Sequence, residues 1–352
     1  MDQYLLWERL VTIVLIFFTS RFPIAAATAN RLYPALFAFG DSILDTGNNN
    51  FLQTATKCNF PPYGKNFPGE TPTGRFGDGK VLSDFIAEAL GIKETLPAFL
   101  SRNISNEELH TGVCFASGGS GNDDLTAKAQ GVLPLSAQLE MFQNYKTKLT
   151  ALVGAKRASN ITSNGLYLLS SGNNDIALTY SLVASRIKFF PNYADTLVVS
   201  ASNFLKNLYH QHGARHVWVL STLPLGCLPG LRTLFGGPSR QCSEIINGEA
   251  KIFNDKLAKE VSSLKTSLPN FDVRFIDVYT PLLDLIENPS NAGFKNVANG
   301  CCGSGTLEVA VLCNSLCVLC PNASTYVFWD AGHPTQRAYQ LMVSSILPTK
   351  NI

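Results

Sequence analysis

Short, nearly unbroken apolar runs recur along the chain, separated by longer stretches in which apolar residues return every third or fourth position. The runs are "ALFAF" from Ala35, "GLYLLSS" from Gly165, "HVWVLST" from His216 and "DVRFIDV" from Asp272, with a shorter one in "TYVFW" from Thr325. Consecutive apolar positions mean that both faces are covered, as in strands inside a parallel sheet. Between them, "KVLSDFIAEALG" after Gly79, "LSAQLEMFQNYKTKL" after Pro134, "VVSASNFLKNLYHQHGA" after Leu197 and the segment from Glu244 to Leu268 read as amphipathic helices. Strands alternating with such helices predict an α/β protein with a mainly parallel sheet. No repeat, low-complexity linker or charge block interrupts the pattern, so residues 30–352 are expected to form one domain.

The first 29 residues break it. Arg9 precedes an apolar stretch from Leu10 to Phe18, and small residues follow from Ala25 to Ala29. That order reads as a secretory signal peptide, because the apolar run is shorter than the roughly 20 residues a membrane span needs. No other segment is long and apolar enough to span, so no transmembrane segment is expected once the leader is removed. The nine cysteines suit the oxidising compartment that a leader implies, and five of them crowd between Cys301 and Cys320. Nine is odd, which leaves at least one thiol unpaired. Cys114, in the apolar and glycine-rich "GVCFASGGSG", is the expected free one. Sequons at Asn103, Asn160 and Asn322 are candidate glycosylation sites on the same route.

Composition narrows the class. Of 352 residues 45% are hydrophobic and 15% charged, with a formal net charge of +2, so the chain has material for a large core and no basic field for nucleic acid. Nothing in the pattern sets an oligomeric state.

The candidate chemistry lies just beyond the strands, where open parallel sheets bind ligands. After "ALFAF" come Gly40, Asp41 and Ser42; after "GLYLLSS" come Gly172, Asn173, Asn174 and Asp175; after "TYVFW" come Asp330 and His333. A serine nucleophile needs a neutral imidazole to take its proton, and that imidazole needs an acid to fix its tautomer. Ser42, His333 and Asp330 fit those roles. A developing oxyanion needs preorganised donors, for which the Ser42 and Gly118 amides and the Asn174 side chain are candidates. Asp41, Asp45 and Asn48 to Asn50 are expected to hold the turn in shape.

Four segments, "FAFGDSILDTGNNN", "GVCFASGGSG", "SSGNND" and "YVFWDAGHPT", together resemble the blocks of the GDSL (SGNH) hydrolases in their plant esterase/lipase branch. The likeness extends through "YGKNFPGETPTGRFGDGKVLSDFIAE" and "STLPLGCLPG", and "QGVLPLSAQLEMF" and "TPLLDLIENP" are similar to the extracellular, pollen-coat subgroup. The resemblance implies a flavodoxin-like three-layer α/β/α fold and hydrolysis of carboxylic esters without metal or cofactor. It also implies Ser42 as nucleophile, Asp330 and His333 as its partners, and Gly118 and Asn174 as oxyanion donors. Secretion to the cell wall, apoplast or pollen coat follows from the same likeness. Gly332 stands where relatives usually carry a bulkier residue, which would loosen His333. An α/β-hydrolase would need a GxSxG elbow, and no serine here has glycine two residues away on both sides. The remaining alternatives are a lipid-binding or coat protein on the same fold and an acetyl esterase of cell-wall polysaccharide. Walls for a substrate pocket are expected from residues 58–76 and from the cysteine-rich stretch after Gly300.

Overall fold

The apolar runs form strands. In the computed structural model, which describes residues 31–183, 188–305, 307 and 312–347, they become β1 (Leu36–Gly40), β2 (Leu166–Ser170), β3 (His216–Leu220) and β4 (Asp272–Ile276). The predicted leader over residues 1–29 lies outside the described residues. All four strands pair in parallel, in the order β1-β2-β3-β4, with Leu36 opposite Leu166, Leu166 opposite His216 and His216 opposite Asp272.

A short segment that the strand pattern does not include extends the sheet. Residues 113–116 run along the free edge of β1: Ala38 N–H donates to Val113 O at 3.4 Å and Phe115 N–H to Ala38 O at 2.7 Å, with Cys114 bridged in parallel to Ala38. Counted with it, the strands run 2-1-3-4-5 in chain order, a doubly wound order whose switch point falls between β1 and β2. Cys114 is fully buried in this strand and unpaired, and Cys58 and Cys317 are unpaired as well. Disulfides join Cys227 to Cys242, Cys301 to Cys320 and Cys302 to Cys313, and Cys317 Sγ lies 3.1 Å from Cys302 Sγ.

Helices cover the sheet: α1 (Leu82–Ala89), α2 (Leu135–Val153), α3 (Phe190–His212), α4 (Glu244–Ser267) and α5 (Gln336–Ile346). Helix α3 begins at Phe190, ahead of the periodic stretch, because Pro191 in its first turn needs no hydrogen-bond partner for a missing N–H. Inside, Phe37, Phe39, Phe115, Phe142 and Tyr145 pack with ring centroids 5.0 to 5.8 Å apart. Side chains of that size stabilise by about 1.5–3 kcal/mol each when fully buried. The far edge departs from the apolar-run expectation of cover on both faces: in β4 Arg274 is exposed and pairs with Asp272 at 2.9 Å. It is the outer strand, with solvent on one side.

Two further parallel strands, β5 (Asn296–Gly300) and β6 (Tyr326–Phe328), form a separate small sheet that leads into Asp330. The described residues from Tyr33 onward form one unit.

Candidate active site

Gly40 ends β1 with φ +118°, a conformation that favours glycine, and a Cβ there would run into Ser170 O on β2. The backbone can therefore turn tightly over the neighbouring strand. Gln138 of α2 clamps that turn, its Oε1 accepting from Gly40 N–H at 2.7 Å and its Nε2 donating to Gly40 O at 2.9 Å. The next residues are held by their own side chains. Asp41 accepts from Ile43 N–H at 3.1 Å, from Ser170 Oγ at 2.9 Å and from Asn173 Nδ2 at 2.9 Å. Asn48 donates to Cys114 O and Ala116 O, Asn49 to Thr56 O and Gly118 O, and Asn50 to Thr73 O. The asparagines thus tie the turn to its neighbours, as expected.

Ser42 emerges from this frame with only 7% of its surface exposed. His333 Nε2 is 2.9 Å from Ser42 Oγ, and His333 Nδ1 is 2.8 Å from Asp330 Oδ1 and 2.9 Å from Oδ2. Three residues from two ends of the chain therefore form one continuous contact. The short Asp330–His333 segment is rigid for a local reason: Asp330 Oδ1 accepts from the Gly332 and His333 amides, both at 2.8 Å, while Trp329 N–H donates to His333 O at 2.8 Å. Gly332 is part of that knot, so its lack of a side chain does not release the histidine.

Burial disfavours the His333 imidazolium, but the Asp330 carboxylate, its hydrogen bond and the nearby Asp41 outweigh that and raise the pKa above its ordinary value. Burial acts to raise the Asp330 carboxyl, yet His333 and the surrounding donors hold it below the usual carboxylate range. Asp41 and Asp45 are fully buried and both pushed up to about 6, burial outweighing their donors.

Of the three candidate oxyanion donors, two remain free for the task. The Ser42 amide makes no backbone hydrogen bond among the described residues. Asn174, half-buried, gives one amide hydrogen to Ser120 O at 2.9 Å and keeps the other. The third expectation is corrected: Gly118 N–H donates to Asp45 Oδ2 at 2.8 Å, so this amide is already taken by a buried carboxylate. Gly118 matters instead for its missing side chain, since a Cβ would collide with the Phe76 ring, which packs on the His333 ring at 5.2 Å. The neighbours of Asn174 are engaged elsewhere. Asn173 binds Asp41 and accepts from Leu223 N–H at 3.0 Å, and Asp175 accepts from the Asn122 and Asp123 amides and Thr126 Oγ1.

Sequence reading offered residues 58–76 only as a pocket wall. The loop does more than that: Tyr63, 5% exposed, donates its hydroxyl to Asp330 Oδ2 at 2.7 Å, and Phe76 covers His333. The buried Arg75–Asp84 pair, with Nε to Oδ2 at 2.7 Å, ties the loop to α1. The cysteine-rich stretch lies beside the site through its backbone, Cys301 N–H bonding Phe328 O and Cys302 N–H bonding Trp329 O. With Cys302 and Cys313 joined to each other, the trio of Cys302, Cys313 and Cys317 offers one thiol rather than three thiolate ligands. The three sequon asparagines, Asn103, Asn160 and Asn322, are all exposed.

Fold and site together define a class, an α/β protein that sets a hydroxyl at the end of β1, beside the switch point, in line with an imidazole and a carboxylate. The family model described as GDSL-like lipase/acylhydrolase matches residues 36–346, and the chain belongs to that family, among the carboxylic ester hydrolases. A GDSL esterase/lipase of Arabidopsis thaliana is 51% identical over 320 residues, covering 90% of this chain and 86% of its own. A second from the same plant is 50% identical, covering 89% and 88%, and a third, GDSL esterase/lipase EXL3, is 46% identical, covering 90% and 87%. Among solved structures, an extracellular lipase from Streptomyces rimosus aligns with a TM-score of 0.41 and 15% identity over 89% of this chain and 99% of that one.

Proposed function

We propose that the chain is a secreted serine esterase that hydrolyses lipid or other acyl esters through Ser42, His333 and Asp330. The observation that carries this reading is the unbroken contact from Ser42 Oγ to His333 Nε2 at 2.9 Å and from His333 Nδ1 to Asp330 at 2.8 Å. Neutral His333 takes the Ser42 proton as Oγ attacks the ester carbonyl. Asp330 holds the Nδ1–H tautomer and stabilises the imidazolium. The Ser42 amide and the Asn174 side chain receive the negative oxygen, a role in which one donor lowers the barrier by about 2.7–4 kcal/mol. The imidazolium then protonates the leaving alcohol, and a water activated by the same ring releases the acid. The leader expected over residues 1–29 from the sequence, the three exposed sequons and the disulfides support an extracellular location. Among the described residues, no helix is long and apolar enough to cross a membrane.

Only neutral imidazole accepts the serine proton, so the rate rises with pH through the pKa of His333, at a midpoint above that of an ordinary histidine. Purified protein is expected to hydrolyse a short-chain p-nitrophenyl ester, and Ser42→Ala to lose about 10⁴-fold or more of that rate. Equal turnover by the variant, or a rate flat from about pH 5 to about pH 9, would refute the assignment.

A further inference from the structure

The Asp330 carboxylate sits in a buried pocket, and its two oxygens are served unequally. Oδ1 accepts from three groups of its own turn, the Gly332 amide, the His333 amide and His333 Nδ1. Oδ2 shares the Nδ1 contact at 2.9 Å and has one further donor, the Tyr63 hydroxyl at 2.7 Å. That donor comes from a loop 267 residues away in sequence. Tyr63 is itself fixed: its ring packs edge-on against Phe60 at 5.4 Å and Trp329 at 6.3 Å, and its N–H donates to Phe60 O at 3.2 Å. The Cys58 thiol, 3% exposed, is its neighbour in the same cluster, and burial pushes that thiol up so that it stays neutral.

We propose that Tyr63 is a positioning residue for the ester hydrolysis assigned above: its hydroxyl holds Asp330 facing His333 Nδ1 and sets how tightly the imidazole keeps its proton. The inference rests on the Ser42–His333–Asp330 reading. Its physical basis is that a phenol O–H given to a carboxylate is a charge-assisted bond, short and stronger than a neutral one. Such a bond locks the carboxylate rotamer and draws negative charge away from it. A carboxylate with less charge stabilises the imidazolium less, so Tyr63 keeps His333 more available as a base at a given pH. Without the hydroxyl, Oδ2 would rely on the shared Nδ1 contact, and the His333 pKa would climb.

The other ionisable groups around this pair are identifiable. Asp41, in the turn after β1, acts electrostatically on His333; Asp330 and Tyr63 act on Cys58; and Asp330, Asp41 and Asp78 act on the buried Tyr339 of α5. Burial pushes Asp41 up to about 6 as well, but its hydrogen bonds run to Ile43, Ser170 and Asn173, and none of these is hydrogen-bonded to Tyr63. A change of profile on altering Tyr63 therefore reports the Asp330–His333 pair.

The test compares wild type, Tyr63→Phe, and protein carrying a ring-fluorinated tyrosine at position 63, by pH profiles of kcat and kcat/KM on a p-nitrophenyl ester. Tyr63→Phe should lower kcat by about 10- to 100-fold with KM within about twofold, the range a hydrogen bond to a charged group represents. Its acidic limb should move up by about half a pH unit or more. The fluorinated phenol is a stronger donor and keeps the hydroxyl, so its limb should move down; it carries the test even if the phenylalanine variant folds poorly. Superimposable profiles, or a loss of rate with no movement of either limb, would overturn the inference and leave Tyr63 a packing residue. An organophosphonate probe separates the two levels of failure: no Ser42 adduct in wild type sinks the active-site reading itself. A Ser42 adduct with unmoved limbs sinks only the role of Tyr63.

Discussion

Gly118 shows how one residue can matter for a reason other than the expected one. Its amide is spent on Asp45, while the space where its side chain would be is filled by Phe76, the ring that lies on His333. Gly118→Ala keeps the amide and inserts a methyl into that ring. Overpacking of this kind costs about 1–3 kcal/mol, and here the strain falls next to His333, the proposed base. The variant should lose about 10-fold or more of kcat on a p-nitrophenyl ester. Phe76→Leu in the same background should restore part of it by making room. Full activity in Gly118→Ala would show that the Phe76–His333 contact does not position the ring. The histidine neighbour Gly332 carries no such constraint, since a Cβ there would meet nothing within 4 Å.

At the scale of elements, what the sequence disclosed follows from where periodicity is strong. β1 to β3 are buried on both faces, so nearly every position had to be apolar, and the runs stood out. Ser42, Asn174 and the Asp330–His333 pair were legible because each directly follows such a run, and because an acid three residues before a histidine closes on it locally. The strand over residues 113–116 was hidden because it is only four residues long and is flanked by Gly112 on one side and Gly118 and Gly119 on the other, which leaves too short an apolar run to stand out. Tyr63 was not legible at all: its loop has no period, and its partner lies far along the chain. The capture of the Gly118 amide by Asp45 was equally invisible, since backbone direction in an irregular turn depends on contacts 73 residues apart. The edge position of β4 was missed because Val273, Phe275 and Ile276 mimic a covered strand, whereas the exposed Arg274 gives it away.

At the scale of the molecule, three fully buried carboxylates tilt the response to pH, while Glu249, pushed up to about 7 by burial, and His212, pushed down to about 4 by burial, act in opposite directions. Asp41, Asp45 and Asp175 are each pushed up to about 6 from an ordinary 3.8, by burial that outweighs their donors. A raised carboxyl pKa means that the folded state binds protons more tightly than the unfolded one between about pH 4 and pH 6. The stabilisation is present at the acidic end of that window and lost as pH rises through 6. The raised pKa of His333 acts in the same direction. Each carboxyl contributes on the order of 1 kcal/mol between pH 5 and pH 7.5. Thermal unfolding is therefore expected about 5 °C higher near pH 5 than near pH 7.5. A Tm that rises over the same interval would contradict the burial of these groups as charged-state penalties.

Ser42, delivered by the turn after β1, is the proposed attacking residue in a site completed by residues from far along the chain. Peptide mass spectrometry after treatment with an organophosphonate ester probe tests that assignment most directly. A single adduct is expected on Ser42, formed in wild type and lost in His333→Ala, because the hydroxyl reacts only when the imidazole takes its proton. An adduct on another serine, or labelling of Ser42 that is unchanged without His333, would contradict it.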